Sequence, residues 1–305
     1  MQPKPIFNWL VPLVAILAAI AASLGMFWMG GDGPFQFTTL HKQTIEIYGR
    51  GLYQYDTHLI AVGYRVGDAF TLLVAIPFLL ISQWLYRRGS LRGKVLLTGS
   101  LLFFLYNYGS LAIGAAYNNL FLIYILLTLT SFLGAASLLL SFDLTTFPSL
   151  FSERVPLRSI SNFFMVSGIA LFCIWLLLSI LPALLAGGVP PELASYTTII
   201  TFAVDMGIIA PVLASAGILI QRREPLGFVL ASVLLVFIDV LGSALLVMGI
   251  SQRAAGLVNI GQFIGFVASF AILTFFSLGY TTTLFRNMAG DSLPQQVPAF
   301  YGRDA

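Results

Sequence analysis

The chain has 305 residues, 58% of them hydrophobic and 9% charged, with a mean hydropathy of +0.93. Soluble domains carry about 25% charged residues, so this composition cannot cover a water-facing surface and the solvent has to be lipid. The net charge of +3 gives no ground for nucleic-acid binding, and a single cysteine, Cys173, excludes an intramolecular disulfide and any CxxC site.

Eight apolar stretches are long enough to cross a bilayer as helices, which predicts an all-α membrane protein. They run roughly over 7–29, 59–86, 95–117, 120–142, 163–186, 196–220, 226–250 and 257–284. Lys4, the apolar run behind it and Ala19-Ile20-Ala21 have the makings of a signal peptide. The run continues through Leu24, Met26, Phe27 and Trp28, which suits a span better than a cleaved leader. Between the first two spans lies an outer loop, 30–58, the one sizeable non-membrane segment expected. Its FQFTTL and QTIEIY runs alternate and flank His41-Lys42, the pattern of a small hairpin, with a short interfacial helix as the alternative. Tyr48, Tyr53 and Tyr55 then lead into the second span at the level of an aromatic belt.

Charge fixes an orientation. Arg87, Arg88, Arg92 and Lys94 follow the second span, Arg154 and Arg158 the fourth, Arg222 and Arg223 the sixth, and Arg286 and Arg303 the eighth, while Lys4 precedes the first. The opposite side has Lys42, Arg50 and Arg253. The positive-inside rule therefore places both termini in the cytoplasm. The segment 287–305, with Pro294, Pro298 and Gly302, reads as a disordered cytoplasmic tail.

The two halves, 1–161 and 162–286, look related. An ungapped alignment sets Leu97 on Leu230, Leu101 on Leu234, Phe104 on Phe237, Gly109 on Gly242 and Ser110 on Ser243. The preceding spans share an order: Asp68, Pro77, Arg87-Arg88 in one and Asp205, Pro211, Arg222-Arg223 in the other. Four spans return the chain to its starting side, so this is a parallel 4+4 repeat about an axis along the membrane normal. By this shared order Asp68 and Asp205 are the same position, and in the ungapped alignment Asp239 stands where the first half has Tyr106.

Four ionisable side chains lie inside the apolar stretches: Arg65, Asp68, Asp205 and Asp239. An ionised group there costs about 2.5–3.5 kcal/mol on the most lenient scale, so it needs a partner or a task. Asp68 and Asp205 fall ~14 Å below the outer ends of their helices. Arg65, three residues earlier on the same face, can bridge Asp68 or reach outward. Other polar residues share helical faces: Thr198, Thr201 and Asp205; Ser232, Asp239 and Ser243; Asn107, Ser110, Gly114 and Tyr117, flanked by Tyr106 and Tyr108; and Gln262, Gly265 and Ser269. If these faces converge they form a polar pocket opening outward under the 41–58 loop. The candidate solute- or ion-binding set is then Asp68, Asp205, Asp239, Arg65, Asn107, Tyr106, Tyr117, Gln262 and Thr201. The bland reading of the Ser, Thr, Asn and Gln members is interhelical glue, each worth about 0.6 kcal/mol. Three acids against one base leave a surplus negative charge, which calls for a proton or a cation.

Several chemistries find no support. There is no HExxH, P-loop or GxSxG motif. His41 and His58 both lie in the outer loop, which removes a haem held between helices and leaves only a weak loop metal site with Glu46 or Asp56. No lysine is placed for a retinal Schiff base, and Arg65 stands where the GxGD pattern of intramembrane proteases needs glycine. No cofactor is expected.

The runs IYGRGLYQYDT, GDAF, RRGSLRG and LYNYGSLAIGAAYNNLFLIY, over spans two to four, resemble a group of bacterial polytopic membrane proteins. The resemblance implies a prokaryotic inner-membrane protein and carries no activity across. Three functions remain: a transporter of a small solute or cation, proton-coupled through Asp205 and Asp239 with Asp68–Arg65 as a gating pair; a sensor or assembly subunit that binds a partner through the outer loop; and a membrane-embedded enzyme using an Asp pair.

Overall fold

A computed structural model of the chain describes residues 4–289. It is helical, with eight helices long and apolar enough to cross a membrane among the described residues. They are α1 (Phe7–Phe27), α2 (His58–Arg87), α3 (Leu91–Gly114), α4 (Phe121–Leu139), α5 (Leu157–Leu185), α6 (Ile200–Gln221), α7 (Pro225–Ala254) and α8 (Ile260–Arg286). The first apolar run forms α1, on which Phe7, Val11, Val14, Ala18, Ala21 and Gly25 make one buried stripe that packs on α2 and α4.

Helices α3 and α7 are the centre, with half of their most apolar windows buried, against 11% for α8. They touch each other at Gly99, where a Cβ would come within 2.6 Å of Val236. Around them the contacts run α1 on α2 and α4, α2 on α3 and α7, α3 on α4, α5 on α6 and α8, α6 on α7 and α3, and α7 on α8. Adding four to each helix number of the first half reproduces the pairings of the second.

Three helices carry a five-residue π-turn just before a proline: Thr71–Ala75 before Pro77, Leu176–Ile180 before Pro182, and Asp205–Ile209 before Pro211. Proline has no N–H and its ring crowds the carbonyl four residues back, so the ladder widens there instead of closing. These turns give landmarks for comparing the halves. Counted from Pro77 and Pro211, Thr71 matches Asp205, Gly93 matches Gly227, and Leu101 and Phe103 match Leu235 and Phe237. This register differs by one residue from the ungapped alignment, and it pairs Asp205 with Thr71, not with Asp68.

The outer loop is a hairpin, β1 (Phe35–Thr38) and β2 (Thr44–Ile47), antiparallel with Phe35 opposite Ile47 and Phe37 opposite Ile45. A 3₁₀ turn at Gly51–Tyr53 comes next and buries Leu52 and Tyr53. At the opposite end, the Lys4 N–H donates to the Tyr86 hydroxyl and Arg92 to the Met288 carbonyl, so both ends of the described chain lie on one side of the bundle. Residues 287–289 pair with 150–152 through Ser152 N–H to Asn287 and Ala289 N–H to Leu150. The rest of the expected tail falls outside the described residues.

Candidate functional site

Asp205 is the first residue of the α6 π-turn and is 8% exposed. Its Oδ1 accepts from the Tyr106 hydroxyl of α3 at 2.9 Å and its Oδ2 from the Trp175 indole N–H of α5 at 3.1 Å. Both donors are held by ring packing, Tyr106 edge-on to Phe237 of α7 and Trp175 against Phe202. One carboxylate thus ties three helices and, through Phe237, touches a fourth.

Asp68 is buried on α2, where its Oδ2 accepts from the Tyr53 hydroxyl at 2.8 Å. Gly25 of α1 makes room for it, because a Cβ there would collide with the carboxylate. Arg65 takes the outward course: Nη1 donates to the Tyr48 hydroxyl at 2.6 Å and Nη2 to the Met26 carbonyl at 2.9 Å. The alternative, a hydrogen-bonded Arg65–Asp68 bridge, is not formed.

Asp239 turns away from this side. Its Oδ2 accepts from Thr281 of α8 at 2.6 Å, while Oδ1 is buried with no partner among the described residues. The expected Asp205–Asp239 pair therefore resolves into two sites with different partners.

The remaining candidates divide. Tyr106 belongs to the Asp205 site, and Thr201 sits half-buried one turn before it. Asn107 is half-buried on α3. Tyr117 is 76% exposed, resting on Phe121 at the outer end. Gln262 is exposed and closes a capping box with Asn259 at the start of α8. The Gln262–Gly265–Ser269 face does not join a pocket: Ser269 bonds back to the Gly265 carbonyl, and α8 buries Thr274, Ser277 and Leu284 instead. Helical spacing shows that residues share a face but not where the face points.

Sequence reasoning treated Asp56 only as a loop acid. It is fully buried at the entry to α2. Its Oδ1 accepts from the Ala116 N–H at 2.8 Å and from the Tyr196 hydroxyl at 2.9 Å, while Oδ2 is buried without a partner among the described residues. Tyr196 also accepts from the Thr57 N–H, so the acid fastens the α3–α4 and α5–α6 connections to the hairpin. Burial pushes the Asp56 carboxyl up to about 6, against the two hydrogen bonds that favour its charge. The signal in the sequence was slight, an acid set between Tyr53, Tyr55 and Thr57 where a solvated loop would put it outward.

Beside Asp56, at the hairpin end of the bundle, lies an open cavity of about 470 Å³, lined by Phe35, Phe37, Tyr55, Ile113, Tyr196 and Thr198 among others. Two of its wall residues, Ala116 and Tyr196, are the ones that hold Asp56. Below, a set of phenols connects the acids. Tyr64 stands within electrostatic reach of Asp56 and Tyr124, Tyr106 of Tyr64, and Tyr124 of both Asp56 and Asp68. Asp68 is bonded to Tyr53, Asp205 to Tyr106 and Trp175, and Asp239 to Thr281, so the three acids share no hydrogen-bond partner among the described residues.

Compared with known protein families, curated proteins and solved structures, the chain matches none.

Proposed function

We propose that this protein is a prokaryotic inner-membrane transporter for a small solute or cation, coupled to protons, with both termini in the cytoplasm. The observation that carries the reading is Asp205, a membrane-embedded carboxylate shared by donors from two other helices and seated on a proline-induced π-turn. A buried carboxylate with no base bonded to it among the described residues calls for a proton or a cation to balance its charge. Changing its state alters the two bonds that link α6 to α3 and α5. A π-bulge inside an otherwise continuous helix is frequently a feature of a functional site.

The matched helix pairings and the matched π-turns of α2 and α6 support a parallel 4+4 repeat, with α3 and α7 at its axis. The basic end, where Lys4, Tyr86, Arg92 and Met288 meet, is then the cytoplasmic one.

The test is uptake into proteoliposomes holding an entrapped pH-sensitive dye under an inward proton gradient, with a panel of amino acids, sugars, organic cations and organic anions. At least one solute should cross with a proton signal, and Asp205→Asn should abolish both while keeping the wild-type elution profile. A wild type no more permeable than empty liposomes across the panel overturns the reading, as does an Asp205→Asn protein with wild-type coupling.

A further inference from the structure

The hairpin end of the bundle contains buried polar atoms that lack a well-formed hydrogen bond among the described residues. Asp56 Oδ2, the Tyr124 hydroxyl and Thr71 Oγ1 are buried without a hydrogen-bond partner among the described residues. Their side chains are no more than 2% exposed. An unmade hydrogen bond at such an atom is costly, and native proteins meet it with ordered water or a bound polar species. The three atoms are not scattered. The ring of Tyr124 stacks on Tyr108 with centroids 6.1 Å apart, and its hydroxyl stands within electrostatic reach of Asp56 and Asp68, while Tyr108 stands within reach of Asp68 and beside Thr71.

The charged and titratable groups around this space come from every element packed on it. The connection before α2 gives Asp56 and Tyr53, α2 gives Tyr64 and Asp68 with Arg65 on their outer flank, α3 gives Tyr108, α4 gives Tyr124, and the α5–α6 connection gives Tyr196. Arg65, the one base in this group, spends two of its nitrogens on Tyr48 and Met26. Two carboxyls, several phenols and unsatisfied oxygens make a donor set suited to water and to an exchangeable proton.

We infer that Asp56, Tyr124 and Asp68 enclose a water-bearing chamber that binds a proton, with Asp56 as its outer acid and the cavity above Tyr196 as its entrance. The inference rests on the transport reading and extends it by giving the coupling proton an entry site separate from Asp205. A proton reaching Asp56 Oδ2 adds one O–H bond there. Passage to Asp68 breaks the O–H bond at Asp56 and forms one at Asp68, while the water and the Tyr124 hydroxyl each give up one proton and take one, so Asp56 returns to a carboxylate and Asp68 is neutralised. Burial already places the Asp56 carboxyl near neutrality, so the proton can be released as readily as it is taken up.

The experiment is infrared difference spectroscopy of the full chain in liposomes, titrated between pH 5 and 8 in water and in D2O. The wild type should show a protonated-carboxyl C=O band that appears as pH falls and a second that shifts in D2O. Asp56→Asn should remove the first and Asp68→Asn the second. Tyr124→Phe, which keeps both acids, should slow deuteration of the Asp68 band at least tenfold and leave the Asp56 band fast. No titrating carboxyl band, bands that fail to exchange, or wild-type exchange in Tyr124→Phe would overturn the chamber. The result is separable from transport. Exchangeable bands with no uptake of any solute would keep the chamber and reject the carrier. Uptake lost in Asp205→Asn, with no such bands, would do the reverse.

Discussion

The Tyr196 hydroxyl donates to Asp56 Oδ1 at 2.9 Å, joining the connection between α5 and α6 to the segment that leads into α2. The same oxygen accepts from the Thr57 N–H at 3.3 Å. One phenol therefore latches the two halves of the molecule on this side, and it does so in the wall of the outer cavity.

Tyr196→Phe removes that donor and acceptor and leaves the ring. Losing a hydrogen bond to a buried carboxyl oxygen should cost about 1–3 kcal/mol. We expect faster backbone hydrogen exchange in 187–199 and 54–58, with exchange in α3 and α7 unchanged. Uniform acceleration across the bundle would show that Tyr196 supports the fold as a whole and is not a local latch.

The Asp56 carboxyl yields a pH dependence with a definite sign. Its folded value, about 6, lies above the ordinary 3.8, so the folded state holds the proton more tightly. Stability from this group is therefore full below pH 3.8 and is lost as pH rises to about 6, with no further change above. Roughly two units correspond to about 3 kcal/mol as an upper value. We expect the hairpin and the 187–199 segment to exchange more slowly at pH 5 than at pH 7.5, after correction for intrinsic rates. Asp56→Asn should flatten the difference, since the amide oxygen still accepts from Ala116 and Tyr196.

The spans were legible in the sequence because lipid imposes a simple rule: about 20 apolar residues make a helix with its backbone satisfied. The hairpin was legible from strict alternation on both sides of His41-Lys42. What the sequence could not supply was direction. Gln262, Gly265 and Ser269 share a face, yet that face points outward because Ser269 satisfies itself on Gly265 and Gln262 on Asn259. Asp239 and Asp205 have similar depth, yet Thr281 draws one to α8 while Tyr106 and Trp175 hold the other. Asp56 was passed over because burial of a loop acid depends on three distant segments closing over it, which no local pattern encodes.

Gly99 and Gly265 give a matched pair for the packing of the bundle. A Cβ at Gly99 would press on Val236 and the Val233 carbonyl, whereas one at Gly265 meets nothing within 4 Å. Gly99→Ala should push α3 from α7 and lower stability by about 1–3 kcal/mol, the usual cost of overpacking. Gly265→Ala should be neutral or slightly stabilising, since alanine is the better helix former by about 1 kcal/mol. Thermal unfolding of the two variants in the same detergent measures both, and equal midpoints would remove the close α3–α7 approach from the account.

Pro211→Ala tests whether the π-turn positions Asp205. Alanine restores the missing N–H and removes the ring that crowds the earlier carbonyl, so the turn can close to an α-helix. Closing it takes one residue out of the turn and rotates the outer part of α6 by about 100° relative to the inner part. Asp205 stands at the start of that turn and cannot keep both Tyr106 and Trp175 through such a rotation. We expect unchanged or raised thermal stability together with at least a tenfold loss of proton-coupled uptake. Pro182→Ala is the control, because its π-turn, Leu176–Ile180, holds no acid. It should leave coupling within about twofold of wild type. Equal losses in both variants would make the prolines general hinges, and full coupling in Pro211→Ala would separate Asp205 from the turn it sits on.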